Sequence, residues 1–394
     1  MTQHNSTPEE NFDDIRPYTD GEFRTKLLKL AEDPGFEHAV RYIMPEVNYN
    51  DFIRNLIATQ TQADFQRHIM GNFLEMLVTR TTEGLSCSGL ENLSPGKAYT
   101  FITNHRDIVL DASFLNLCFI RNNLPITQVA IGNNLLIYDW ITDLVKLNRS
   151  FIVKRDTGIR EALESARHLS AYIHRTVAVD HQSVWIAQRE GRAKDSNDRT
   201  QESVIKMLSL GGDDDCCRSL RRINLTPVSI SYEYDPNDYL KVREFLMRRR
   251  DPDFKKSQRD DLFSMETGLL KQKGRVHFHI GACINDALIS CEGQPRAEVV
   301  RKVCDTLDRA IHCGYRIFPC NYIAFDICNN TEEYRSRYTD TDVMAFQKYI
   351  DSQLAKVDVP DITPQEYEFM HRTMLDMYAN PLRNQRLANG CDTI

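Results

Sequence analysis

Apolar residues follow two different spacings along the chain, and the change comes near residue 98. Before it, a polar tail is followed by apolar residues at three- and four-residue intervals, such as Phe23, Leu27 and Leu30, which predicts helices. After it, short β-branched and aromatic runs alternate with helical stretches, a pattern typical of an α/β domain with a central sheet. The chain is therefore predicted to have a helical N-terminal region (1–95), an α/β domain (96–285) and a mostly helical C-terminal extension (286–394).

The individual elements are predicted from the same spacing. The predicted strands are Tyr99 to Thr103, Thr127 to Ile131, Ser150 to Val153, Val184 to Ala187, Leu225 to Tyr232 and Arg275 to Ile280. The main predicted helices are Asp111 to Arg121, Leu135 to Leu147, Gly158 to His174, Glu202 to Leu210, Asp238 to Arg250, Arg296 to His312, Asp342 to Leu354 and Pro364 to Tyr378.

Composition narrows the class of protein. The hydrophobic and charged fractions, 41% and 27% of 394 residues, are those of a soluble globular protein. No run approaches the roughly 18 apolar residues that span a bilayer, and the stretch Met1 to Asn11 is polar where a signal peptide is apolar. Eleven cysteines without paired spacing fit reduced thiols. We therefore expect a cytoplasmic protein, and the net charge of -7 argues against a nucleic-acid partner.

One predicted helix combines apolar and basic residues. Asp238 to Arg250 carries Tyr239, Leu240 and Phe245 beside Arg243 and the run Arg248 to Arg250. Such a helix can lie on an anionic membrane surface, which predicts a peripheral contact with the cytoplasmic membrane face. It can equally pack its apolar side on the sheet and leave its basic side in water. The sequence leaves both interpretations open.

The strongest candidate for chemistry is a histidine at the end of a predicted strand. The strand Tyr99 to Thr103 runs directly into Asn104 and His105, and Asp111 follows at the start of a helix. Sites in α/β folds lie at such strand ends. A carboxylate one turn away can orient the imidazole and stabilise the imidazolium that forms when it takes a proton. Alone, the pair is better explained by a surface histidine that caps a helix or bonds a loop.

Further segments place basic residues directly after other predicted strands. Lys154 and Arg155 end one strand, and the turn Glu190 to Lys194 follows another. Arginine suits a phosphate because its planar fork can donate two parallel hydrogen bonds. The segment Gly274 to Gly281 places His277 and His279 on one strand face, where they are a metal-ligand pair or an ordinary solvent-side pair.

Taken in order, these segments resemble the glycerolipid acyltransferase superfamily, which includes glycerol-3-phosphate and 1-acylglycerol-3-phosphate acyltransferases. The resemblance covers roughly Gly89 to Gly281, and the stretch Ala130 to Leu136 is similar to a segment of the glycerol-phosphate branch. The matching blocks are His105 with Asp111, then Phe151, Ile152 and Arg155, then Glu190, Gly191 and Arg192, and finally Pro227 inside an apolar strand.

The sequence departs from the family pattern twice. Five residues separate His105 from Asp111 where the family has four, and Leu110 stands at the family's aspartate position. The partner of the histidine is therefore Asp111, after a loop longer by one residue, or Asp107. The third block lacks one residue, so Arg192 and Lys194 take the family's cationic positions if the turn is shorter.

The resemblance implies a mixed central β-sheet flanked by helices and a function in phospholipid biosynthesis. His105, oriented by Asp111, would deprotonate the hydroxyl of glycerol-3-phosphate or 1-acylglycerol-3-phosphate, which attacks the thioester of acyl-CoA or acyl carrier protein. It further implies that Arg155, Glu190, Gly191, Arg192 and Lys194 bind substrate, that Pro227 is structural, and that no metal or prosthetic group is needed.

Two other functions stay open. One is O-acyl transfer to a lyso-lipid without a phosphate, and the other is a catalytically silent lipid-binding scaffold with the same fold. The position of the C-terminal extension suggests a helical cover for an acyl channel.

Overall fold

The computed structural model describes residues 11–155, 158–212 and 215–391. The predicted polar tail up to residue 10 lies outside them. Within the described residues, one sheet contains β1 Leu85–Ser88, β2 Thr100–Thr103, β3 Gln128–Gly132, β4 Ser150–Val153, β5 Val184–Ala187, β6 Leu225–Tyr232 and β7 Val276–Ile280.

The sheet is mixed, with the order β1-β7-β6-β2-β5-β3-β4. The five strands from β6 to β4 in this order run parallel, whereas β7 runs antiparallel to β6 and β1 runs with β7. Parallel neighbours need crossover connections, and helices supply most of them. The predicted fold class, an α/β fold with a mixed central sheet flanked by helices, is confirmed. Because β2, β3, β4 and β5 are parallel, the loops after them meet at one edge.

The helices precede, connect and follow the strands. They are α1 Asp20–Ala31, α2 Pro34–Ile43, α3 Tyr49–Ala58, α4 Gln62–Asp64, α5 Gly71–Thr81, α6 Leu110–Arg121, α7 Asp139–Leu147, α8 Ile159–Ala178, α9 Glu202–Leu208, α10 Cys216–Arg222, α11 Asp238–Arg250, α12 Gln258–Leu270, α13 Arg296–Cys313, α14 Pro319–Asn329, α15 Asp340–Leu354 and α16 Pro364–Ala388. A π-helical segment, Phe65–Met70, joins α4 to α5.

Burial explains which strands the sequence pattern detects. Every residue of the central strands β2 and β6 is buried, and their β-branched and aromatic residues predict both strands although threonine and serine occur among them. The edge strand β1 differs from the sequence prediction, because it has only four residues and lies in the region (1–95) predicted to be helical. Its conformation is fixed by parallel pairing with β7, from Leu85 opposite Val276 to Ser88 opposite His279.

The hydrophobic residues form separate clusters. Two lie on the two faces of the sheet, and an N-terminal cluster joins α1, α2 and α3 to α7. A fourth packs Val242 and Leu246 of α11 against α14, α15 and α16. The helix α11 belongs to the domain predicted for residues 96–285, but it packs in the same core as the C-terminal helices. The domain boundary near residue 285 therefore stays a prediction, as does the one near residue 95. Among the described residues, no helix combines the length and the apolar character needed to cross a bilayer.

Candidate functional site

His105 and Asp111 are in direct contact at the carboxyl end of β2. The His105 Nδ1 atom lies 2.8 Å from Asp111 Oδ2. Asn104 fixes the start of this loop, because its side-chain amide makes two hydrogen bonds with the backbone of Ile230 in β6, at 2.8 and 2.9 Å. The side chain of His105 is 13% exposed and that of Asp111 is fully buried. Since Nδ1 faces the carboxylate, Nε2 is the nitrogen available to take a proton.

The carboxylate of Asp111 is held by further hydrogen bonds. Its Oδ2 atom accepts from the backbone N–H groups of Arg106 and Asp107, at 2.6 and 3.1 Å. Its Oδ1 atom accepts from the hydroxyl of Tyr232, at 3.0 Å. Burial, reinforced by Asp111, raises the pKa of Tyr232 well above its usual value, so this hydroxyl remains a donor. The carboxylate therefore has a fixed orientation toward His105.

Asp107 has a different position. Its Oδ1 atom accepts from the backbone N–H groups of Val109 and Leu110, at 2.9 and 2.8 Å, where α6 begins. Its Oδ2 atom accepts from the side-chain amide of Asn237, at 2.8 Å. Asp107 thus satisfies N–H groups at the start of a helix, as a capping residue does. The structure brings Asp111, not Asp107, into contact with His105, although the catalytic role of either residue stays a prediction.

The turn after β5 is attached to the histidine loop. Ala193 donates its backbone N–H to the carbonyl oxygen of His105, at 3.1 Å. Gly191 adopts a φ of 69°, a left-handed conformation that favours glycine and allows the chain to reverse after Glu190. The predicted substrate-binding turn therefore lies beside the predicted base.

A cavity of about 1130 Å³ opens next to His105. Arg155, Glu190, Gly191, Arg192 and Lys194, the predicted substrate-binding residues, all line it. Among the described residues, seven basic and four acidic side chains line the cavity. Most of the other lining residues are apolar and include Met70, Leu74, Ile120, Leu144, Leu169 and Met265. The cavity therefore offers both basic and apolar side chains to a ligand.

The N-terminal helices, not the C-terminal extension, complete this wall. Gln66 and Met70 of the π-helical segment and Leu74 of α5 line the cavity together with Met265 of α12. Among the described residues, none beyond 285 does so. The expected C-terminal cover for an acyl channel is thus wrong, because α14, α15 and α16 pack instead on α11.

Arg155 is positioned by the end of β3. Its backbone N–H donates to Asn133 Oδ1, at 2.9 Å. Its guanidinium lies over Gly132, where the Cβ of any larger residue would be only 2.9 Å from Nε. Among the described residues, its ion-pair partner is Glu190, whose Oε1 atom is 3.9 Å from Nε and whose side chain is 70% exposed. Arg155 therefore lines the cavity with a weak, solvated partner.

The other two predicted cations differ from each other. Arg192 is 8% exposed, and its Nη1 atom is buried without a hydrogen-bond partner among the described residues. Lys194 instead forms an ion pair with Glu244 of α11, a carboxylate that also pairs with Arg248 at 2.8 Å. Burial lowers the pKa of Lys194 to about 8, although Glu244 opposes the shift. Arg192 is thus the cation with free donor capacity, while Lys194 is already neutralised.

Pro227 and the histidine pair lie away from the cavity. Pro227 sits in β6 where β7 ends, and its carbonyl accepts the N–H of Gly281 at 2.8 Å. His277 contacts the hydroxyls of Ser86 and Ser88, at 2.8 and 3.0 Å. Burial, with help from nearby Arg316, lowers its pKa to about 4. Among the described residues no group of three or more metal-ligating side chains occurs, so this pair fits the alternative of an ordinary polar strand face.

Two neighbours of His105 were not predicted from the sequence. The guanidinium of Arg106 makes two hydrogen bonds with the buried carboxylate of Asp198, at 2.7 and 2.5 Å. Trp185 of β5 lines the cavity, and its ring meets the ring of His105 edge to face, with centroids 5.7 Å apart. The available signal is that Trp185 stands between Val184 and Ile186 in a short apolar run, but such a run indicates only a strand.

Comparison with known proteins gives a limited result. No family model matches the sequence, and no curated protein matches it. Among solved structures, the chain is similar to the crystal structure of PlsC, the 1-acyl-sn-glycerophosphate acyltransferase of Thermotoga maritima, with 10% sequence identity and a TM-score of 0.36. The match covers 71% of this chain and 97% of that chain. A similarity of this size assigns no role to any residue here.

Proposed function

We propose that this protein is an O-acyltransferase that moves a fatty acyl group from acyl-CoA or acyl carrier protein to the hydroxyl of glycerol-3-phosphate or 1-acylglycerol-3-phosphate. The observation that carries the proposal is the contact of His105 with buried Asp111 beside a cavity lined by both basic and apolar side chains. The phosphate of the acceptor suits the basic side chains, and the acyl chain suits the apolar ones.

The chemistry follows from the two nitrogens of His105. Nδ1 donates to Asp111, so Nε2 takes the proton of the acceptor hydroxyl as that oxygen attacks the thioester carbon. The carbonyl electrons move to oxygen, and the tetrahedral intermediate then reforms the carbonyl as the carbon–sulfur bond breaks. The imidazolium returns its proton to the leaving thiolate, which gives an ester and a free thiol. Asp111 stabilises the imidazolium between these steps.

The acceptor phosphate is assigned to Arg192 and Arg155. Arg192 supplies a buried donor without a partner among the described residues, and Arg155 has a weak, solvated partner. An arginine fork can hold a phosphate by two charge-assisted hydrogen bonds. Lys194, already paired with Glu244, contributes less. That pairing is also the observation that favours the second candidate, an acceptor without phosphate, because it lowers the positive charge of the site.

The test is an acyl-transfer assay with palmitoyl-CoA and three acceptors in parallel: glycerol-3-phosphate, 1-acylglycerol-3-phosphate and an unphosphorylated lyso-lipid. We expect transfer to a phosphate acceptor and a loss of about 10²- to 10⁴-fold in His105→Ala. His38→Ala, which changes an exposed histidine of α2, is the matched control and should keep wild-type rates. Transfer only to the unphosphorylated lipid would favour the second candidate. Equal background rates for wild type and His105→Ala would indicate the silent scaffold.

For access to lipid, we propose a peripheral contact with an anionic membrane through exposed arginines of α11. The apolar residues Val242 and Leu246 are buried in the core, and Arg250 is paired with Glu366 at 2.7 Å. Arg248, beside Glu244, and Arg249, over the ring of Phe369, are exposed as well, so the attraction would be electrostatic and sensitive to salt. Arg248→Ala/Arg249→Ala should lose flotation with phosphatidylserine liposomes.

The control for this test exchanges two exposed arginines on another helix. Arg301→Ala/Arg309→Ala in α13 changes the net charge by the same amount. It should leave flotation intact. Equal loss in both double variants would mean that net charge, not α11, determines binding, and unchanged flotation of the α11 variant would refute the proposed contact.

A further inference from the structure

Trp185 carries a buried hydrogen-bond donor that the fold does not use. The residue is 4% exposed, and its indole Nε1 atom has no acceptor among the described residues. A buried tryptophan N–H ordinarily has a hydrogen-bond partner, because leaving it unpaired costs the solvation that it had in water. Trp185 nevertheless lines the cavity that His105 lines. A donor in this position is suited to an acceptor atom brought by a ligand.

The fold holds this donor close to the proposed reaction centre. Trp185 lies opposite Phe101 in the parallel pairing of β5 with β2, the strand that ends at His105. The rings of Trp185 and His105 meet at 70°, with centroids 5.7 Å apart. Trp185 also packs in the core on that sheet face with Phe101 and Val129. Its orientation is therefore fixed by packing, as catalytic preorganisation requires.

We propose that the indole N–H of Trp185 donates a hydrogen bond to the carbonyl oxygen of the acyl thioester. This inference rests on the proposed function. The acceptor oxygen must approach His105 Nε2 to about 3 Å, and the attacked carbon lies about 3–3.5 Å from that oxygen. The carbonyl oxygen is one bond further, in the cavity that both His105 and Trp185 line. There its charge grows as the hydroxyl oxygen bonds to carbon, and the N–H of Trp185 stabilises it until the carbonyl reforms and the thiolate leaves.

The other hydrogen-bond donors near the reaction centre either already bind a carboxylate or lie elsewhere in the cavity lining. The guanidinium of Arg106 is bound by Asp198, and the amine of Lys194 by Glu244. Among the described residues that line the cavity, Arg189 and Arg192 also have buried nitrogen atoms without partners. The ring of His105 is in contact with the ring of Trp185, which sets this donor beside the base. Trp185 is thus the unpaired donor that is placed for the thioester, and Arg192 remains for the acceptor phosphate.

The first test removes the N–H and keeps an aromatic ring. Trp185→Phe should lower kcat by about 10²- to 10³-fold, the usual effect of losing one oxyanion donor. KM and the melting temperature should change little, and the pH profile should keep its shape because His105 still titrates. Trp140→Phe, which alters the other tryptophan of the chain, is the control and should retain wild-type kcat. Unchanged kcat in Trp185→Phe at unchanged stability would overturn the inference.

The second test needs no turnover. In a His105→Ala/Trp140→Phe protein labelled with ¹⁵N-tryptophan, the indole signal comes from Trp185 alone. Palmitoyl-CoA should move the indole proton downfield, whereas S-hexadecyl-CoA, a thioether without the carbonyl oxygen, should not. Equal shifts with both compounds would overturn the inference, because the N–H would then not recognise the carbonyl.

Failure of the proposed function has a different signature. In that case the wild type transfers no acyl group to any acceptor, and palmitoyl-CoA moves no tryptophan signal. The inference then falls together with the function. A wild-type enzyme that is active, combined with an indole signal that palmitoyl-CoA does not move, would overturn the inference about Trp185 alone.

Discussion

Exchanging each of the two candidate aspartates for asparagine separates the partner of His105 from the residue that caps α6. Asp111→Asn removes the charge that lies 2.8 Å from His105 Nδ1 and leaves a group of nearly the same shape. Asp107→Asn makes the same chemical change four residues earlier, where the carboxylate contacts backbone N–H groups and Asn237. The two variants are thus matched in size, charge and burial.

The expected magnitudes differ by orders of magnitude. Loss of the Asp111 charge removes the stabilisation of the imidazolium, which in His/Asp catalytic pairs lowers kcat by roughly 10⁴-fold, or about 5.5 kcal/mol. Asparagine at position 107 keeps an oxygen for the helix start, where it caps as well as aspartate. Burial and the neighbouring Asp111 raise the pKa of Asp107, so its neutral replacement also relieves repulsion. The new NH₂ group meets the amide of Asn237, whose Oδ1 atom has no hydrogen-bond partner among the described residues and can accept from it once that amide turns. Asp107→Asn should therefore change kcat little and the free energy of unfolding by about 1 kcal/mol or less.

The assay is the initial rate of thiol release from palmitoyl-CoA with the best acceptor, together with urea unfolding of both variants. Only rates measured where both variants are fully folded are compared. A loss of activity in Asp107→Asn as large as that in Asp111→Asn would refute the reasoning, because the observed contacts would then not identify the residue that acts on His105. Wild-type kcat in Asp111→Asn would refute it as well.

Three further changes test other parts of the site and fold. Gly132→Ala would place Cβ 2.5 Å from Oδ1 of Asn134 and 2.9 Å from Nε of Arg155, so both side chains must shift. KM for a phosphate acceptor should then rise roughly tenfold or more, while Gly158→Ala, in open space, should not change it. Tyr378→Phe removes a buried hydroxyl that donates to Asp238 at the start of α11, at 2.8 Å, and accepts the N–H of Asp235 in the loop after β6, at 3.1 Å. It should lower the free energy of unfolding in urea by about 1–3 kcal/mol. Burial lowers the pKa of His277 from 6.5 to about 4. Between these two pH values the unfolded chain therefore binds a proton at His277 that the folded chain does not. Stability should therefore fall as pH decreases from 6.5 to 4, and His277→Gln should reduce that slope in urea titrations at several pH values.

The features predicted from sequence are those that depend on neighbours along the chain. The contact of His105 with Asp111 joins residues six positions apart, so a strand followed by a helix nearly determines it. The choice between Asp111 and Asp107 depends on where α6 begins. That boundary is at Leu110, which places Asp111 in the first turn and Asp107 before it. Helix boundaries are difficult to predict from sequence, so the sequence alone does not decide which of the two aspartates contacts His105.

Contacts between distant segments could not be predicted in this way. The pair of Lys194 with Glu244 spans 50 residues and forms because α11 packs beside the turn after β5. The same packing buries Val242 and Leu246 of α11 against the C-terminal helices. An amphipathic pattern indicates that a helix has an apolar side, but it does not distinguish a protein core from a membrane surface. Only the tertiary structure identifies the partner of that side.

The C-terminal extension lies outside the cavity, but it helps to hold Arg106 in the loop after β2 through a contact with Asp198. Asp198 accepts two hydrogen bonds from Arg106, and Tyr315, which follows α13, donates its hydroxyl to the same carboxylate. Breaking such a buried ion pair typically costs about 3–5 kcal/mol. The backbone N–H of Arg106 donates to Asp111, so any displacement of Arg106 also moves a donor that orients Asp111 toward His105. The geometry of the candidate base therefore depends on contacts with a helical region that lies far later in the chain.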